Sequence, residues 1–280
     1  MDTPKNDQVE NDAHGNDANS KAAADETAAE KAAADKIILE LEFAQNEGLG
    51  RIFVEDIHVD GKNIYIAGAG LSISTDEGKS WVKKISKDGL ASNLISAVYA
   101  NGPQIYVAHG GSIPQPNFGG LSISTDGGDT WINKTPIDGL GSLGVNDVYA
   151  IGSTVYAATD AGLSISIDGG LTWINKTTYD GLGDNKVKSV FAQGSTIFAL
   201  TSRGLSISQN GGRSWSRKQP YNGPGPIYHS VYGVGSAVYV GGNFGVAISI
   251  DGGNSWTWST IAKGFGRPFH FKRWRHDLDQ

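Results

Sequence analysis

Carboxylates that could serve as general acids or bases are scarce in the main body of this sequence. Between residues 51 and 280 the glutamates are Glu55 and Glu77, and Glu77 lies in a turn. Hydrolysis of a glycosidic bond usually requires two facing carboxyl groups, one of which has a raised pKa. No spacing in the sequence predicts such a pair, so we expect no catalytic residues.

Metal ligands and thiol nucleophiles are also scarce. His58, His109 and His229 are isolated and lack the spacing of metal ligands, and the chain has no cysteine. His58 aligns with Tyr99 and Tyr149 in the repeats described below, so a strand position explains it. No glycine pattern of the phosphate-binding kind opens a helix. We therefore expect neither a metal nor a cofactor.

A repeated unit of twelve residues, GLSISTDGGDTW in its second copy, must position these polar residues. Successive copies begin 50, 42, 42 and 41 residues apart. A fixed period of this length is the signature of a repeat architecture. The copies begin at Gly70, Gly120, Gly162, Gly204 and Gly245.

Each copy has the pattern of a β-hairpin with a reinforced turn. From Gly162, apolar residues alternate with serines, which indicates a strand with two distinct faces. Asp168 can then accept backbone N–H bonds in a turn whose following glycines tolerate a positive φ. Trp173 opens the returning strand, where it is placed to fold over the turn.

This turn resembles the Asp-box, or BNR, repeat, whose pattern is Ser/Thr-x-Asp-x-Gly-x-Thr/Ser-Trp. Four of the five copies match at every position, and the remaining copy carries Asn210 in place of the aspartate. The resemblance implies a β-propeller in which the box residues lock each hairpin and have no catalytic role. These structural residues are Asp76, Trp81, Asp126, Trp131, Asp168, Trp173, Asn210, Trp215, Asp251 and Trp256.

Two further strand-like runs precede each box, as in VNDVYA from Val145 and TVYAAT from Thr154. Four short antiparallel strands in each period of about 42 residues predict the blades of an all-β propeller. We place five blades within residues 46–262, starting near residues 51, 92, 142, 184 and 226. A linear solenoid, or a ring completed by a second chain, is the alternative. The alternating segment 37–43 could supply an outer strand.

The two ends of the chain differ from the repeats in charge. Residues 1–45 combine a polar acidic segment, which we expect to be disordered, with an Ala-rich helical spacer. Residues 263–280 form a basic tail with interleaved aromatic residues. Residues 51–280 carry 17 acidic and 19 basic residues, so nucleic acid is not an expected partner. No apolar run is long enough to span a bilayer, and no export signal is recognisable.

A meander of four strands places the loops between second and third strands at the same end as the crossings between blades. The eight-residue excess between the first two boxes falls in the loop of residues 109–119. Insertions in repeat proteins map to one face, often the binding face, although such loops can also be mere connections. The predicted ligand-binding residues are His109, Gln115, Asn117, Phe118, Asp160, Arg203, Tyr221, Asn243 and Phe244.

The Asp-box resemblance also leads to sialidases. Their chemistry uses an arginine triad, a Tyr/Glu pair and an acid/base aspartate, after a Phe/Tyr-Arg-Ile-Pro motif. Only Arg51 and Ile52 remain of that motif here, and no pattern brings Arg51 together with Arg203 and Arg217. The sequence resembles exported or surface bacterial Asp-box proteins that lack the catalytic set.

We therefore predict a non-catalytic binding propeller, exported or displayed at the cell surface, that recognises a glycan or a protein. Its location could be extracellular or periplasmic, or else cytoplasmic. The alternatives are a sialidase-like glycoside hydrolase and a scaffold similar to the photosystem II assembly factors. The sequence favours no oligomeric state.

Overall fold

The structure, a computed structural model, describes residues 54–110, 119–220, 228–243 and 245–259, and the backbone alone of residues 274–276. All of them belong to one compact unit, Phe53–Gln280. The predicted acidic tail and spacer, the segment 37–43 and most of the basic tail lie outside the described residues.

Five antiparallel sheets of four strands follow one another along the chain and confirm the predicted blades. Blade 1 comprises β1 (Asp56–Asp60), β2 (Asn63–Gly68), β3 (Gly70–Ser74) and β4 (Val82–Lys84). Blade 2 comprises β5 (Ile95–Asn101), β6 (Gln104–His109), β7 (Gly120–Ser124) and β8 (Ile132–Lys134). Blade 3 comprises β9 (Val145–Ile151), β10 (Thr154–Thr159), β11 (Gly162–Ser166) and β12 (Ile174–Lys176).

Blade 4 comprises β13 (Val187–Gln193), β14 (Thr196–Thr201), β15 (Gly204–Ser208) and β16 (Ser216–Lys218). Blade 5 comprises β17 (Tyr228–Val234), β18 (Ala237–Gly242), β19 (Gly245–Ser249) and β20 (Thr257–Ser259). A final strand, β21 (Trp274–His276), pairs in parallel with β1. The first strand of each blade is the inner one, because these strands contact one another from blade to blade.

The core lies between neighbouring blades rather than within one sheet. Tyr106 and Leu121 of blade 2 pack forward onto Val148 and Val155 of blade 3. We call the side toward the next blade in sequence the forward face and the opposite side the backward face. Full burial of one such apolar side chain stabilises the folded state by roughly 1.5–3 kcal/mol. Apolar residues on both faces of a strand are therefore covered by two different blades, as the continuous apolar runs predict.

Each blade has two chemically different ends. At one end the box turn bonds to the turn between the first two strands, as when Gly169 N–H donates to the carbonyl of Ser153 at 2.8 Å. At the other end the loop between second and third strands bonds to the crossing from the preceding blade, as when Ser202 N–H donates to the carbonyl of Lys186 at 3.1 Å. We call these the box end and the loop end.

Short 3₁₀ helices, which the sequence analysis did not predict, begin three crossings at the loop end. In the second, Thr135 Oγ1 accepts from Ile137 N–H at 3.3 Å, and Asp138 Oδ2 accepts from Thr135 N–H at 2.9 Å. This reciprocal capping ends at Gly139, whose φ is 101°, and Leu140 then enters the core. The three helices are Ser86–Asp88, Pro136–Asp138 and Thr178–Asp180.

Candidate functional site

The box residues form a closed hydrogen-bond network at each hairpin turn. Ser74 Oγ donates to Asp76 Oδ1 at 2.8 Å and accepts from Gly78 N–H at 2.8 Å. The Asp76 carboxylate also accepts from Ser80 N–H at 2.8 Å and from Ser80 Oγ at 2.7 Å. The same bonds recur in the three other boxes that carry aspartate, so the repeated aspartates hold turns. The box tryptophans are partly buried and cover these turns.

Hydrogen bonds to the ionised form lower the pKa of the box aspartates. The pKa of Asp126 falls from 3.8 to about 2, chiefly because its carboxylate accepts bonds from the Thr130 side chain and backbone. Asn210 keeps the geometry without the charge, since its Oδ1 accepts from Ser214 N–H at 2.9 Å and its Nδ2 donates to Ser214 Oγ at 2.8 Å. Four boxes are therefore acid-sensitive, and the fourth in sequence is not.

We expect Asp126→Asn to remove part of the acid sensitivity of the fold. A carboxylate with a depressed pKa in the folded state stabilises the protein above its unfolded pKa of about 3.8, and this contribution disappears as the pH falls toward about 2. Asn210→Asp should add one such contribution. Thermal melts between pH 7 and 2 measure both effects, and Asp129→Asn in the same turn is the matched control. Identical pH profiles for all three variants would contradict this assignment.

The loop end brings together two of the predicted ligand residues with charged residues of the crossings. Asp160 Oδ1 lies 3.1 Å from Lys186 Nζ. Arg203 Nε lies 3.2 Å from Asp184 Oδ2, and 71% of the Arg203 side chain is exposed. Exposed ion pairs add little stability, generally under about 1 kcal/mol, so these contacts mainly orient the charges.

A narrow cleft opens at the loop end between the starts of the inner strands, and we call it the inner cleft. Its polar lining comes from all five blades, and the sequence analysis missed it. The residue two positions before one aligned buried aliphatic differs in every blade; these aliphatics are Ile57, Val98, Val148, Val190 and Val231. In blades 2 to 5 the differing residues line the cleft, and they are Ser96, Asn146, Lys188 and His229. In blade 1 the equivalent position is Glu55, and the neighbouring Asp56 lines the cleft instead.

These variable side chains tie neighbouring blades together. Ser96 Oγ donates to the carbonyl of Val145 at 2.5 Å, and Asn146 Nδ2 donates to the carbonyl of Val187 at 2.9 Å. Asn146 Nδ2 also donates to Asp160 Oδ1 at 3.1 Å. The inner cleft is thus continuous with the predicted loop residues.

The charges of the inner cleft are of both signs. Asp56 and Asp147 are buried and line the cleft beside the partly exposed Lys188. Burial, and then the nearby Lys186, lower the pKa of Lys188, whereas Asp184 opposes the shift. A cleft with acidic and basic groups in fixed positions suits a polar partner that presents hydrogen-bond donors and acceptors.

The remaining predicted site residues have different surroundings. Asn243 is exposed at the loop end, and its Oδ1 contacts His229 Nε2. His109 is fully buried and does not reach the loop surface, because it ends a strand at the position that Thr159 and Thr201 occupy in other blades. Its Nε2 lies 2.7 Å from Ser122 Oγ, and burial lowers its pKa to about 4. Outside the described residues lie Gln115, Asn117, Phe118, Tyr221 and Phe244.

Solved structures of other proteins share this fold. The extracellular domain of a one component system from B. thetaiotaomicron has 12% identity and a TM-score of 0.59, over 74% of this chain and 30% of that one. YCF48 bound to D1 peptide has 16% identity and a TM-score of 0.53, over 74% of this chain and 66% of that one. An ancestral GH74 enzyme has 21% identity and a TM-score of 0.54, over 74% of this chain and 31% of that one.

Fold and repeats together define the class of this protein as an all-β propeller of five four-stranded blades. At these low identities the similarities show the fold alone. The chain spans about a third of the length of two of these structures. No protein-family model and no curated protein matches the chain.

The described ranges hold no group of three or more His, Cys, Asp or Glu side chains placed to bind a metal ion. They also hold no helix with the length and apolar character needed to cross a bilayer.

Proposed function

We propose that this protein is a binding propeller that recognises a glycan or a protein through its loop end. The observation that carries the proposal is the inner cleft, where the otherwise similar blades 2 to 5 place four different polar residues at one position of the repeat. Ser96 and Asn146 bond to the next blade, but that bonding alone does not call for a different residue at this position in each repeat. A ligand that contacts all five blades would require such differences.

The loop end is organised before any partner arrives. The ion pairs of Asp160 with Lys186 and of Asp184 with Arg203 hold charged groups at its surface. Groups that are already ordered lose little conformational entropy on binding, which favours affinity. Gln115, Asn117, Phe118, Tyr221 and Phe244 remain proposed contacts of the same end, whereas His109 would act by supporting the loop that it precedes.

Two proteins of similar fold support the proposal that this chain is exported and binds a macromolecule. One has the fold as an extracellular domain, and another, YCF48, is bound to a peptide. We extend both features to this chain as part of the proposal, together with its placement among the non-catalytic Asp-box proteins.

A glycoside hydrolase is the second candidate, because two buried carboxylates, Asp56 and Asp147, line one cleft. Both already accept backbone N–H bonds, from Val98 at 3.0 Å and from Val190 at 2.9 Å. Carboxylates engaged in this way hold blades together, so we place binding before catalysis. Turnover of a fluorogenic sialoside that disappears in Arg51→Ala would reverse this order.

We expect Arg203→Ala to weaken binding about tenfold, because it removes an exposed cation of the loop end. The purified chain is first applied to a glycan array and to a peptide array, and the best probe is then titrated against each variant. Arg213→Ala is the matched control, since Arg213 is an exposed arginine of a box turn at the opposite end. Equal losses in the two variants would place the ligand elsewhere.

A further inference from the structure

The forward face of blade 5 is exposed where the other blades bury theirs. Tyr239 lies in the middle of β18 and is 39% exposed. Its equivalents in the other blades are at most 5% exposed: Tyr65, Tyr106, Tyr156 and Phe198. Val246 of β19 is partly exposed as well, whereas the leucines at its position are fully buried: Leu71, Leu121, Leu163 and Leu205.

Blade 1 exposes part of the opposite, backward face, on which Ile57 and Ile64 are buried. Ile66 of β2 and Val59 of β1 are both partly exposed. The residues equivalent to Ile66 are fully buried against the preceding blade: Val107, Ala157, Ala199 and Val240. The two ends of the blade array therefore carry uncovered apolar residues on opposite faces.

These two faces are the two halves of an interface that the chain forms four times. Each internal junction packs an aromatic and a leucine of a forward face onto aliphatic residues of a backward face. Inner strands contact one another in the order β1, β5, β9, β13 and β17. Among the described strands, β1 contacts the C-terminal strand β21, and no contact of comparable size joins β17 or β18 to β1.

We infer that a second copy of this chain covers these faces, with the forward face of blade 5 in one copy docked on the backward face of blade 1 in another. The occupant of the blade 5 face must offer aliphatic residues in the register of a backward face, and blade 1 offers Val59 and Ile66 in that register. Such a contact is heterologous, so it builds a ring or a chain of copies. It involves the blade faces and is independent of the ligand proposed for the loop end.

Sedimentation velocity of the full chain at increasing concentrations, up to about 100 μM, tests the inference. The unmodified chain should associate, and Tyr239→Glu and Ile66→Glu should each weaken association at least about tenfold, since each buries a charge in one half of the interface. An equimolar mixture of the two variants should form a heterodimer and nothing larger, because one intact forward face and one intact backward face remain.

Ile167→Glu is the matched control, because it places the same charge on a 72% exposed isoleucine beside a box turn. It should associate as the unmodified chain does. Circular dichroism melts verify that each variant is folded. The inference fails if the unmodified chain is monomeric throughout, if the single variants associate normally, or if the mixture forms no heterodimer.

Discussion

A Gly120→Ala variant should lose on the order of 4 kcal/mol of stability, which would lower the melting temperature by roughly 10 °C. Gly120 has a φ of 97°, which side-chain-bearing residues rarely adopt. A Cβ placed there would lie 2.1 Å from the carbonyl oxygen of Lys134, in the adjacent strand β8. That oxygen belongs to the backbone, so the collision can be relieved only by moving the strand.

Gly127→Ala separates backbone strain from the collision. Gly127 also has a positive φ, of 75°, but a Cβ there meets no atom within 4 Å. We expect it to cost about 1–2 kcal/mol, the penalty of the left-handed conformation alone. Calorimetry of both variants measures the difference. If the two variants have the same melting temperature, close packing against Lys134 is not the reason that position 120 requires glycine.

The blades were predictable because their signals are local and repeated five times. In blade 3 the predicted strands 145–150 and 154–159 correspond to Val145–Ile151 and Thr154–Thr159. Alternation and turn glycines fix such strands without reference to the rest of the fold. The 3₁₀ helices were missed because three residues are too few for periodicity, although the capping pair of Thr135 and Asp138 signals one of them.

The site was less predictable, because burial follows a residue's position in the repeat and not its type. His109 has the polarity of a ligand contact, but its repeat position is that of Thr159, which is buried in the core. Lys188 and Asn146 were overlooked because they lie where strands begin. A position-by-position comparison of the repeats, rather than of the loops alone, would have found them.

An Asp147→Ala variant should lose about 3 kcal/mol, because one buried carboxylate serves two backbone donors. Asp147 Oδ1 accepts from Val148 N–H at 2.8 Å, and Oδ2 accepts from Val190 N–H of blade 4 at 2.9 Å. In the equivalent junctions a single side chain of the preceding blade suffices, as when Ser189 Oγ accepts from Val231 N–H at 3.2 Å. Blade 2 carries Ala97 at this position, which has no acceptor to offer Val148.

This division of roles predicts which second substitution restores stability. Asp147→Ser should keep the bond to Val190, as Ser189 does for Val231, and lose about half as much as the alanine variant. In the Asp147→Ser background, Ala97→Ser should then give blade 2 a hydroxyl that accepts from Val148 N–H. This second substitution should restore most of the stability that Asp147→Ser still lacks. Urea unfolding of the single and double variants forms the cycle that measures this coupling. If Ala97→Ser has the same effect with Asp147 as with Ser at position 147, the two positions are uncoupled, and Asp147 does not compensate for the alanine of blade 2.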